Sequence, residues 1–250
     1  MITRYERVKV AQDTINQCTT GKHKDLKIGD SELFTGNDSK FSELKVDKKF
    51  VTTIDVLNWD VLLIAESLFR AGDTNLLVLN LASPKHFGGG WLNGSLAQEE
   101  ELFRRSNYFT TDIKNFYRLS KMESVYTSNV MVIKDEKYKD LEYTFPVAML
   151  AVTGIINPVT DNNKLNSWDY HVTFHTIDNI FRVALLKKHD VLVLGALGCG
   201  VFKNPTEEIV KIYNTCLEKY NGCFRKIVFA VLSRNDNNFD IFNKGIKRVF

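Results

Sequence analysis

Short, unbroken apolar runs constrain this chain more than any other feature. Leu76 to Leu81 and Val191 to Leu194 are continuous rather than alternating, the pattern of strands covered on both faces. Phe50 to Val56 is β-branched and reads as another strand, and further strands are predicted at Val130–Ile133, Val147–Val152 and Lys226–Leu232. Amphipathic stretches fall between them. Asn58 to Ala71 carries Leu62, Ala65, Leu68 and Phe69 on one face, with Gly72 to close it. Tyr170–Lys188 and Pro205–Tyr220 follow, the latter opened by Asn204 as cap and Glu207 three residues on. Buried strands alternating with helices imply an α/β fold whose sheet, parallel or mixed, lies between helical layers. Thr3 to Cys18 predicts one more helix, with Tyr5, Val8, Ala11 and Ile15 inward and Gly21 as a stop. Lys22 to Lys49 is polar and reads as irregular decoration. No repeat or linker divides the chain, so residues 1–250 are expected to form one domain with 1–49 as an accessory segment.

Composition narrows the class. Thirty-three basic and 30 acidic residues leave a formal charge of +3, and 44% of the 250 residues are apolar, the balance of a packed globular protein. So mild a charge argues against a sequence-specific nucleic-acid partner. The longest apolar runs, Asn75–Ala82 and Val191–Val201, are too short to cross a bilayer. No basic segment followed by an apolar one opens the chain, so no export signal is expected. Cys18, Cys199, Cys216 and Cys223 form neither a C-x-x-C pair nor a zinc spacing. Reduced thiols in an intracellular setting, cytoplasmic or nuclear, are the expectation. His171 and His175 stand four apart, but no H-E-x-x-H pattern or third ligand accompanies them, and neither a metal nor a cofactor is expected.

Two glycine-rich loops follow predicted strands. In such sheets ligands sit outside the carboxyl ends of the strands. The first loop holds Gly88, Gly89 and Gly90, then Gln98, Glu99, Glu100 and Glu101 entering a helix. Three glycines either supply positive φ angles for a turn or let a ligand approach the backbone, and a turn alone seldom needs three. The acids either steady a helix N-terminus or act on that ligand. The second loop, Gly195 to Pro205, contains Gly198, Cys199, Gly200, Val201 and Phe202. It is neither a dinucleotide fingerprint nor a Walker A loop, yet its successive N–H groups suit phosphate oxygens.

Gly88-Gly89-Gly90, seven residues, then Gln98-Glu99-Glu100 resembles the signature of poly(ADP-ribose) glycohydrolases. Gly198-Cys199-Gly200-Val201-Phe202, Phe229 to Leu232, and Arg7, Ala11 and Thr14 in the first helix are similar to the microbial-type branch. Phe87 departs from it, standing where that branch often has proline. The resemblance implies a macrodomain-like three-layer α/β/α fold with a mixed sheet and an N-terminal helical extension. It implies hydrolysis of the ribose–ribose O-glycosidic bond of poly(ADP-ribose), releasing ADP-ribose, without a cofactor or metal. Glu100 would be the general acid/base and Glu99 would orient ribose hydroxyls. Gln98 would support the loop, and Glu101 would lie on a helix surface. Gly88, Gly89 and Gly90 would admit the diphosphate and distal ribose. Gly198, Cys199, Gly200 and Val201 would bind phosphates, and Phe202 would pack on the distal ribose. Phe239 is a candidate adenine platform. The partners implied are poly(ADP-ribose) or an ADP-ribosylated protein, and no membrane. A mono-ADP-ribosyl hydrolase and a reader that binds ADP-ribose without turnover are the alternatives; paired glutamates favour catalysis. Phe103, Tyr108, Phe109 and Phe116 read as core, and Arg104, Arg105, His23 and His189 as solvated.

Overall fold

The computed structural model describes residues 2–42 and 44–249. The first helix, α1 (Arg4–Thr19), opens with a reciprocal cap between Thr3 and Glu6. It ends where the Gly21 N–H turns back to the Asn16 carbonyl. Its buried face is Ala11, Thr14 and Cys18, while Tyr5 stands exposed. The expected apolar stripe is therefore rotated, because α1 packs through polar contacts as much as apolar ones. The polar stretch after it contributes β1 (Ser31–Phe34), which pairs antiparallel with a later strand and closes one edge of the sheet.

The opposite edge is β2 (Thr53–Leu57), where alternating burial marks one covered face. Asp60 caps α2 (Val61–Arg70) by accepting from the Leu62 and Leu63 N–H groups, so Asn58 and Trp59 stay outside the helix. Gly72, at φ +94°, follows its end. Then come β3 (Leu76–Leu81) and the short α3 (Gln98–Arg104). The strands expected at 130–133 and 147–152 belong to one long hairpin, β4 (Ser124–Lys134) and β5 (Asp140–Val152). A two-residue ribbon, β6 (Thr160–Asp161) and β7 (Lys164–Leu165), leads into α4 (Ser167–Leu186), capped by Asn166. The chain finishes β8 (Val191–Leu194), α5 (Thr206–Lys219), β9 (Lys226–Ala230), α6 (Asn238–Gly245). Asn204 does not cap α5. Pro205 holds that position without a side-chain bond, and Asn204 is buried elsewhere.

Seven strands form one sheet in the order β1-β4-β5-β3-β8-β9-β2. From β5 to β2 every pair is parallel, and β1, β4 and β5 are antiparallel neighbours. Along β3, Leu77 and Leu79 enter the core shared with α4, α5 and α6, whereas Leu76 and Val78 enter the core shared with α1, α2 and α3. Alternate side chains of a strand point to opposite faces, so this six-residue segment is apolar at every position but Asn80 because two helical layers claim it. The fold is three-layer α/β/α with a mixed sheet, as the resemblance implies. No helix among the described residues is long and apolar enough to cross a membrane.

Candidate active site

The parallel half of the sheet ends its strands β3, β8, β9 and β2 side by side, and their loops wall a cleft. With neighbouring strands about 4.8 Å apart, the three steps from β3 to β2 span roughly 14 Å. The cavity of about 1750 Å³ also continues down a side groove past Leu63, Glu66 and Arg70 of α2 and Tyr138 of the β4–β5 turn.

Over β3 stand the glycines and glutamates. Gly88 has φ +74° and Gly89 φ +58°. A Cβ on Gly88 would fall 2.7 Å from the Phe103 ring, and one on Gly89 would fall 2.5 Å from Glu100 Oε1. On Gly90 it would meet Ser95 Oγ at 2.3 Å. The run of three is thus required by the protein's own packing, before any ligand is considered. Gly89 and Gly90 line the cleft, whereas Gly88 faces inward against Trp91 and Phe103.

α3 then delivers its acids. Gln98 clamps the end of β3, accepting from the Leu81 N–H at 2.8 Å and donating to the Leu79 carbonyl at 2.6 Å. Glu100 Oε1 accepts the Gly90 N–H at 2.9 Å, and its buried Oε2 has no partner among the described residues. Glu99 is only 3% exposed. Its Oε2 accepts the Ser83 N–H at 2.7 Å, and its Oε1 accepts from the Tyr117 hydroxyl at 3.0 Å and from Asn80 Nδ2 at 3.4 Å. Burial pushes the Glu99 carboxyl up to about 7, against the pull of those donors.

The two arginines that follow are not solvated. Arg104 is wholly buried and donates to the Trp91 and Ser95 carbonyls and to Glu101. Arg105, equally buried, pairs with Asp60 at 2.7 Å. Each guanidinium spends its charge bracing backbone or a carboxylate from another element, which a view of α3 as a surface helix misses. Glu101 likewise is held between Arg104 and the Tyr138 hydroxyl instead of facing water. His189 is buried against the Tyr126 hydroxyl, and His23 is half-buried. The aromatic group behaves as expected: Phe103 and Tyr108 are core, with Phe109 and Phe116 packed on it.

Over β8 runs the second loop. Gly198 has φ +73°, and its missing side chain leaves room for Asn204 Nδ2, which bonds the Ile155 carbonyl at 2.6 Å and the Gly198 carbonyl at 3.0 Å. The N–H groups of Gly200, Val201 and Phe202 find no acceptor among the described residues, an arrangement able to donate to an anion. Val201 is 81% exposed, Phe202 half-buried, and both line the cleft. Cys199 does not contribute. Its thiol is buried and points to the Leu197 carbonyl, burial pushes it up to about 12, and its N–H is taken by Ala196. Phe239 does not line the cleft; it packs half-buried on the core, because α6 turns it inward. Residues over β9 and β2 that do line this end include Val231, Leu232, Arg234, Asp236, Asn58 and Trp59. Only the 56% exposure of Trp59, a ring left outside α2 by its cap, signals them, and that depends on where the helix starts.

A family model described as the microbial-type PARG catalytic domain matches residues 5–135. The fold is similar to the poly(ADP-ribose) glycohydrolase of Thermomonospora curvata, 22% identical, over 97% of this chain and all of that one, with a TM-score of 0.85. The same enzyme bound to the inhibitor ADP-HPD aligns at 0.81 over 96% and 99% of the two chains, again at 22% identity. The poly(ADP-ribose) glycohydrolase of Deinococcus radiodurans in complex with ADP-ribose is 26% identical over 86% of this chain and 93% of that one, with a TM-score of 0.74. No curated protein matches the chain in sequence.

Proposed function

Because this chain belongs to the microbial-type poly(ADP-ribose) glycohydrolase family, we propose that its cleft holds an ADP-ribose unit with the scissile bond against Glu100. The reaction is hydrolysis of a ribose–ribose O-glycosidic bond, with a polymer or an ADP-ribosylated protein as substrate and ADP-ribose as product. The chain works as one catalytic domain in this reading, residues 1–49 included.

One observation carries the assignment: of the two carboxyls, Glu100 alone has an oxygen with no partner among the described residues. Gly90 fixes the other oxygen, so Oε2 is presented in a defined direction. A carboxyl so placed donates a proton to the departing ribose oxygen and then takes one from the attacking water. Glu99 has one uncommitted lone pair, on Oε2, and we assign it to a ribose hydroxyl. The free N–H groups of Gly200, Val201 and Phe202 bind the diphosphate, and the Phe202 ring packs on the distal ribose. Positioning by this loop adds to the chemistry of the acid, since a misplaced sugar loses most of the effect.

Incubation with labelled polymer tests the proposal. Free ADP-ribose should appear, and Glu100→Gln should slow its release about 100-fold or more while ADP-ribose still binds. Binding without release in the unaltered protein would make it a reader instead.

A further inference from the structure

Tyr117 lies outside every motif and does not line the cleft. It follows the short turn Asp112–Phe116, and its hydroxyl crosses 3.0 Å to Glu99 Oε1. Its ring is set edge-on to Phe87, centroids 5.7 Å apart, and Phe87 is set edge-on to Phe103 at 4.8 Å. Two residues on, the Leu119 N–H bonds the Pro84 carbonyl, which pins this segment to the start of the glycine loop. Phe87, the residue that replaces the branch's usual proline, thus supplies the surface on which Tyr117 rests.

We propose that Tyr117 is a positioning residue for hydrolysis: by donating to Glu99 Oε1 it locks that carboxyl and turns Oε2 to the cleft. The inference rests on the assignment of Glu99 to the substrate's ribose. Without the hydroxyl, Glu99 keeps the Ser83 N–H and a 3.4 Å contact to Asn80, too long to hold Oε1 firmly. The other groups facing Glu99 are the Glu100 carboxyl and the buried Tyr108 hydroxyl, and neither is placed to donate to Oε1.

The hydroxyl also favours the ionised form of Glu99, so removing it raises the pH at which Glu99 titrates. Tyr117→Phe retains the ring against Phe87 and is the variant to make. Its turnover number should fall at least tenfold with KM changed less than threefold. The limb of its pH–rate profile that Glu99→Gln abolishes should move to higher pH. A ¹³C titration of the Glu99 carboxyl should show the same upward movement without reference to activity. Superimposable profiles and titrations in the two proteins would overturn the inference. If the unaltered protein fails to cleave polymer, the proposed function falls. The carboxyl titration still decides whether Tyr117 governs Glu99.

Discussion

At Gly89 two requirements coincide in a single residue. Its φ of +58° disfavours any side chain, and a Cβ would press on Glu100 Oε1 at 2.5 Å and on Glu99 Oε2 at 3.2 Å. Gly89→Ala should therefore cost about 1–2 kcal/mol of stability from the backbone alone. It should reduce turnover about 100-fold, because the methyl displaces the carboxyl to which the proposed function assigns the proton transfers. Denaturation midpoints and a polymer assay on the same sample separate the two effects. The identity of Glu99 and Glu100 as the acidic pair is legible in the sequence, since glycines and acids fall at a recognisable spacing. Their different environments are not. Glu99 is hydrogen-bonded by partners from residues 80, 83 and 117, brought together only by folding, whereas Glu100 is held by its own loop. Cys199 shows the same limit in reverse, a motif residue whose thiol and N–H both turn into the loop.

Among the elements, α1 has a use that its sequence conceals. Arg4 and Arg7 donate to the carbonyls of Asn93 and Gly94, and Thr14 donates to the Arg104 carbonyl at 2.6 Å. The helix thereby buttresses the back of the glycine turn and the end of α3. Thr14→Val removes the donor at nearly constant shape and leaves a buried carbonyl unmet, at a cost of about 1–3 kcal/mol. A urea titration should show a lower midpoint with an unchanged slope. Strands β3 and β8 are legible because two helical layers demand unbroken apolar runs, and α2 and α4 are legible from their faces. β1 is not, since four residues with one fully buried leave no periodicity to detect. The limits of β9 differ for a physical reason: beyond Ala230 the Val231 N–H still bonds the Leu57 carbonyl and Leu232 lines the cleft, so apolar character persists past the strand's end.

For the molecule as a whole, the raised Glu99 carboxyl links stability to pH. In the folded protein it titrates near 7, against 4.5 as its ordinary value. Between these values the native state keeps a proton that the unfolded chain has lost. Stability therefore falls as pH rises through that window and levels off above 7, by up to about 3 kcal/mol. Buried His189, held below its usual range by desolvation, acts in the opposite sense as pH drops below 6.5. The Glu99 contribution is accordingly read as the difference between the unaltered protein and Glu99→Gln, which should be level below pH 4.5, change by up to about 3 kcal/mol between 4.5 and 7, and be level again above 7. Midpoints at pH 4.5, 6 and 8 measure it.

In the proposed function, the bareness of Val201 at the tip of the second loop bears on how tightly a nucleotide would be gripped. Its isopropyl group is exposed on nearly every side, and covering such a group gains about 1.5–3 kcal/mol. A guest laid across that tip releases ordered solvent as well as meeting the amides beneath. Part of the grip is therefore greasy rather than ionic, and salt will loosen it less than a purely electrostatic cradle.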